Sequence, residues 1–219
     1  MKSEQTPSPE DQEPAQAAQT GYWLGFDVGG TKMQATIFDN DLQICASKRR
    51  RTQRGRGLQD GVDRIVRTME TVLSDTGLSP SDLQGIGIGC PGPLDLDRGI
   101  VLEAPNLGWE RMPVAEPVEQ ALGCPVVLLN DVDAGVYAEY CRGSARSSRC
   151  TLGVFPGTGI GGGCVYEGQI LRGAVSSCME IGHVQMLPDG PLCGCGQNGC
   201  LEALASRLAI SAAAAQAAY

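Results

Sequence analysis

The chain holds one histidine, His183, and ten residues further on it begins a run of three cysteines, Cys193, Cys195 and Cys200. One imidazole and three thiolates at the spacing H-x9-C-x-C-x4-C form a Cys3His set, which suits tetrahedral Zn2+ and fills every position around it. A filled set leaves no place for water or substrate, so this zinc would be structural, folding the loop that carries its ligands. The alternative is a satisfied core histidine beside buried thiols. The other seven cysteines (Cys45, Cys90, Cys124, Cys141, Cys150, Cys164 and Cys178) are scattered singly, mostly beside apolar runs, and read as reduced core thiols.

Two glycine-rich turns are the second chemical feature. The first, DVGGTK, follows the apolar run Tyr22 to Phe26; the second, GTGIGGG, follows LGVFP. Glycines bring backbone N–H groups close to an anion, and a hydroxyl and a lysine add further donors. A phosphate chain is the ligand that most needs such a cradle. The bland reading of either turn is a plain hairpin connection. DVGGTK is not GxxxxGK[ST], and no helix follows it as a dinucleotide loop requires.

The third feature is Asn130-Asp131, delivered by the strand VVLLN at the end where α/β ligand sites lie. Asp131 can accept a proton from an attacking hydroxyl. Read alone, Asn-Asp after a strand is more often a helix cap.

Alternating patterns surround these groups. Strands are expected at Tyr22 to Phe26, Met33 to Phe38, Leu42 to Ser47, Ile86 to Ile88 and in VVLLN, with helices at Leu58 to Thr76, near Pro113 to Leu122, and from Asp131. After Cys150, LGVFPGTGIGGGCVYEG repeats the strand–turn–strand form of LGFDVGGTKMQATIFD. The final stretch LEALASRLAISAAAAQAAY is helical by propensity. The class is therefore α/β, with a duplicated architecture around a cleft. We divide the chain into a disordered tail, 1–20, an N-terminal α/β domain, 21–130, and a partial second α/β domain, 131–219.

Seventeen basic against 25 acidic residues give a net charge of −8, which argues against nucleic acid as a partner. The one basic cluster, KRRRTQRGR from Lys48 to Arg56, reads as a solvated loop or strand end rather than a phosphate site. No run reaches the length of a membrane span and the first 20 residues hold no apolar stretch, so neither anchor nor signal peptide is expected. The expected location is the cytoplasm.

Seven motifs in order, Asp27 to Lys32, CPGPLD, NLGW, LLND, GTGIGGG, EIGH and CGCGQNGCLEALAS, resemble the ROK family of bacterial sugar kinases and repressors. That family lies within the actin-like ATPase superfamily, whose duplicated domains are ribonuclease H-like. The resemblance covers nearly all of residues 21 to 207. It implies that Asp27, Gly29, Gly30, Thr31 and Lys32 face the phosphates and Mg2+ of ATP, and that Gly157, Thr158 and Gly159 complete the cradle. It also implies that Asn106, Asn130, Asp131, Glu180, His183 and Glu202 bind sugar hydroxyls and that Asp131 is the general base. The implied cofactors are Mg-ATP and a structural zinc, and the implied partners are ATP and a sugar, with a homodimer as the form common in the family.

The implied activity is phosphorylation of a hexose at its 6-hydroxyl. Glucose is the expected sugar; fructose, N-acetylmannosamine, N-acetylglucosamine and allose are the alternatives. A repressor would need an N-terminal helix-turn-helix, for which residues 1 to 20 are too few and too polar. A non-catalytic sugar-binding protein is the remaining rival. Three departures stand out: Met179 where the family often has glycine, Asp133 where it commonly has asparagine, and a chain that ends soon after the zinc motif, so that the second domain is expected to be truncated.

Overall fold

Apolar residues on alternate positions of β1 (Tyr22–Val28) bury Leu24, Phe26 and Val28 on one face. The glycine turn sends the chain back as β2 (Lys32–Phe38), antiparallel to β1, and β3 (Ile44–Arg51) extends the sheet antiparallel to β2. This computed structural model describes residues 21–52, 58–173 and 179–218. The proposed N-terminal tail lies outside the described residues.

Helix α1 (Leu58–Thr76) carries Val62, Ile65, Met69, Val72 and Leu73 on one stripe, and all five are buried. Each such side chain contributes about 1.5–3 kcal/mol when removed from water. The helix stops where expected. Gly77 turns at φ 70°, and the Leu78 N–H reaches back to the Leu73 carbonyl at 3.0 Å, the closing bond of a glycine C-terminal cap.

β4 (Leu83–Cys90) then runs parallel to β1. A small antiparallel sheet follows: β5 (Leu94–Asp95), β6 (Ile100–Ala104) and β7 (Trp109–Pro113). The sequence reading missed it. Its strands are short, and its apolar positions Val101, Ala104, Trp109 and Met112 are spaced by turns rather than by a sustained period. Helix α2 (Ala115–Leu122) starts after Pro113, which ends β7, and stops at Gly123, whose φ is 62°. β8 (Val126–Asn130) completes a five-stranded sheet of order β3-β2-β1-β4-β8.

One continuous core cluster runs from Leu24 to Leu128 and lies between this sheet and helices α1 and α2. Beyond it, α3 (Asp131–Arg142) packs on a three-stranded sheet of order β11-β10-β9, formed by β9 (Cys150–Pro156), β10 (Ile160–Tyr166) and β11 (Gln169–Ile170). Val136 would meet a Cβ at either Gly153 or Gly163, and Val132 one at Gly161, so those glycines let the helix approach closely.

Two expectations are corrected here. The C-terminal helix is broken into α4 (Leu201–Ala205) and α5 (Arg207–Ala217) at Ser206, whose side chain turns back to cap α5 by accepting the Ala209 N–H at 3.1 Å. Of the scattered cysteines, Cys90, Cys124 and Cys164 are buried, but Cys45, Cys141 and Cys150 are exposed, and Cys178 lies outside the described residues. Among the described residues no helix is long and apolar enough to cross a membrane.

Candidate active site

The parallel strands β1, β4 and β8 end at the same level, with Asp27 beside Gly89 and Cys90 beside Asn130. Asp27 and Asp131 therefore line one cleft of about 590 Å3, floored by Gly25, Gly87 and Gly89.

Asn130 caps α3, its Oδ1 accepting the N–H groups of Val132 at 2.9 Å and Asp133 at 3.2 Å. The capping role thus falls to Asn130, and Asp131 enters the cleft from the first helical position. Burial pushes the Asp131 carboxyl above the usual carboxylate range; the Val132 N–H at 3.0 Å pulls it down, and the Asp27 charge adds to the rise. Asp27 is raised too, by desolvation first, with Arg49 opposing. Between the two, the thiol of Cys90 is held strongly protonated by burial and then by both carboxylates. It is an inert spacer.

The first glycine turn is closed by the Gly29 N–H, which donates to the Lys32 carbonyl at 2.9 Å. A Cβ on Gly29 would come within 2.7 Å of that oxygen, so the turn admits no side chain there. In the second turn the Gly157 N–H donates to the Gly159 carbonyl at 2.7 Å. The first four residues of the basic run, Lys48 to Arg51, belong to β3: Lys48 pairs with Asp75 at 2.7 Å and Arg50 donates to Thr71, latching β3 onto α1.

His183 and the three cysteines come together with all four ligand atoms within 4.8 Å of one another. The His183 Nδ1 lies 3.6 Å from the Cys193 Sγ, and the Cys195 Sγ lies 3.6 Å from the Cys200 Sγ. Tetrahedral zinc with bonds of about 2.0–2.3 Å needs ligand separations of about 3.6–3.8 Å, so the donor set fits. Without an ion, burial and the neighbouring thiols push Cys200 up to about 12. A dication reverses that logic.

The cysteine loop abuts the second turn. Glu202 Oε2 accepts the Ile160 N–H at 2.9 Å and would collide with a Cβ on Gly159, while a Cβ on Gly182 would strike the Ile160 carbonyl. Glu180 is exposed and lies near Asp133, whose carboxyl is raised by burial first, lowered by Arg172, and raised again by Asp131 and Glu180. Arg172 was not singled out from sequence, because a lone arginine after a short strand carries no pattern. Asn106 is exposed on the turn between β6 and β7.

Fold and site together define an α/β chain of the actin-like ATPase type, with paired glycine turns and a Cys3His loop. The family model described as "ROK family" matches residues 23–218, and the chain belongs to that family. It is 38% identical over 188 residues to a glucokinase of Thermotoga maritima, a match covering 85% of this chain and 58% of that protein. It is 34% identical over 190 residues to a glucokinase of Streptomyces coelicolor, covering 87% and 58%. Among solved structures it is similar to a ROK family glucokinase from Streptomyces griseus in complex with glucose and AMPPNP, with TM-score 0.79, 35% identity, and coverage of 90% of this chain and 61% of that one. The chain thus spans 58% of the length of the curated relatives it matches.

Proposed function

We propose that this chain carries the sugar site and phosphate turns of an ATP-dependent hexose kinase, with glucose as substrate and the 6-hydroxyl as acceptor. The observation that carries the reading is Asp131: a half-buried carboxylate with a raised proton affinity, at the mouth of the cleft it shares with Asp27. A base whose pKa is lifted toward the working pH accepts a proton more effectively. The sugar oxygen attacks the γ-phosphorus as Asp131 takes its proton; the new O–P bond forms, the bond to the β-phosphate oxygen breaks, and ADP leaves.

The remaining residues take roles that their geometry permits. Asp27 stands partly desolvated near the end of β1, where a carboxylate can hold Mg2+ directly or through water. Bound Mg2+ would neutralise charge on the transferring phosphate. Gly30, Thr31 and Lys32, with Thr158 and Gly159, supply donors to the phosphates, while the N–H groups of Gly29 and Gly157 close their own turns. Asn130 has its oxygen committed to the cap, which leaves its NH2 group to donate to a sugar hydroxyl. His183 turns Nδ1 toward the Cys193 Sγ, which leaves Nε2 for the sugar, and a metal bound at Nδ1 would hold that tautomer. Glu180, Glu202 and Asn106 complete the expected set of hydroxyl partners, and zinc would make this wall rigid.

The test is a panel of sugars (glucose, fructose, N-acetylmannosamine, N-acetylglucosamine and allose) incubated with Mg-ATP, with the products read by 31P NMR. Glucose 6-phosphate as the fastest product is the expected result. A faster product from another sugar would reassign the substrate, and sugar binding without product would favour a binding role.

A further inference from the structure

We propose that Thr52 is a positioning residue for the first phosphate turn, orienting the peptide groups that donate to the nucleotide; the inference rests on the reading of Asp27 to Lys32 as a phosphate-binding turn. Thr52 follows the last residue of β3. Its hydroxyl donates to the Gly29 carbonyl at 2.7 Å, and its backbone N–H donates to the Thr31 carbonyl at 2.9 Å.

These two bonds fix two peptide planes. In a trans peptide the C=O and the following N–H point in opposite directions. With the carbonyls of Gly29 and Thr31 drawn toward Thr52, the N–H groups of Gly30 and Lys32 face away from it. Carbonyl oxygens are thereby withdrawn from the anion's side of the turn and donors are left there.

The second glycine turn is secured in a comparable way. The Gly157 carbonyl accepts the Arg207 backbone N–H at 3.0 Å, so in both turns the carbonyl of the leading glycine is held from outside the turn. In the second turn the hold is main chain and insensitive to residue type. In the first, one of the two bonds depends on a hydroxyl.

The neighbouring charges also point to an anion. Lys32 stands directly opposite Arg51, the residue before Thr52, in the β2–β3 register. Like charges opposed across strands repel each other, and an anion between them removes the penalty.

Calorimetric titration of wild type, Thr52→Val and Thr52→Ser with Mg-ATP, and separately with glucose, tests the proposal. Thr52→Val should weaken Mg-ATP about five- to tenfold, the loss expected for one hydrogen bond, and Thr52→Ser should restore it to within about twofold. Glucose affinity should not move. Wild-type Mg-ATP affinity in Thr52→Val would overturn the positioning role, as would a joint loss of nucleotide and glucose that serine fails to rescue. A wild-type chain that binds glucose but no Mg-ATP would remove the phosphate-turn reading itself, and this proposal with it.

Discussion

Glu202 Oε2 accepts the Ile160 N–H at 2.9 Å, which fastens a residue two positions beyond the last cysteine to the start of β10. One side chain thereby joins the Cys3His loop to the second glycine turn. Whatever orders the loop also orders the start of β10.

Metal content follows from this linkage. Chain purified without chelator should carry one zinc, measured by elemental analysis. Cys195→Ser should lose zinc and with it glucose affinity, by about tenfold or more, since groups that orient a site usually act on that scale. A chain without zinc that binds glucose normally would contradict the assignment of the loop as a metal-ordered wall.

Backbone strain beside Glu180 gives a second expectation. Met179 has a φ of 56°, in the left-handed region that costs a non-glycine residue about 1–2 kcal/mol. Glycine would remove that cost but would lose more entropy on folding, so Met179→Gly should stabilise the chain by roughly 0.5–1 kcal/mol. For a chain of this length that corresponds to a rise in Tm of about 1–4 °C. The strain fits the departure seen in the sequence, where methionine replaces the glycine common in the family.

The carboxylates predict a direction with pH. Asp131 and Asp27 are both raised above 3.8, so the folded state binds their protons more tightly than the unfolded chain does. Their ionisation therefore costs nothing below that value, and stability falls as pH climbs through the interval up to their folded pKa. Asp131→Asn should remove part of the penalty, raising Tm at neutral pH and flattening its fall above pH 3.8. Thermal unfolding across pH checks this, and an unchanged profile would mean that Asp131 is better solvated than its burial indicates.

Ser206 offers a structural counterpart. It is 3% exposed and caps α5, whose Arg207 N–H holds the Gly157 carbonyl. Ser206→Ala should cost about 1 kcal/mol, read by denaturant unfolding. It should also loosen the second turn, so Mg-ATP affinity should fall with stability.

Much of this was legible in the sequence because it is local. The apolar stripe of α1, the Gly77 stop and the hairpin turns are set by neighbours within a few residues, and His183 and its cysteines fall inside one stretch of 18 residues. The break at Ser206 was hidden by the helix propensity of the alanines around it, and the three short strands β5, β6 and β7 were hidden by having no period to detect. Long-range relationships left no signal at all. The hydroxyl of Thr52 on Gly29 and the carboxylate of Glu202 on Ile160 bridge 23 and 42 positions, and only the folded chain brings them together.

The central claim is that Asp131 is the base of a phosphoryl transfer to a sugar. Glucose-dependent ADP release from Mg-ATP, compared between wild type and Asp131→Asn with glucose affinity measured alongside, tests it most directly. The account expects release by the wild type, loss of at least about a hundredfold in the variant, in line with the usual worth of a general base, and nearly unchanged glucose binding. A variant that binds glucose and keeps most of the wild-type rate would contradict it.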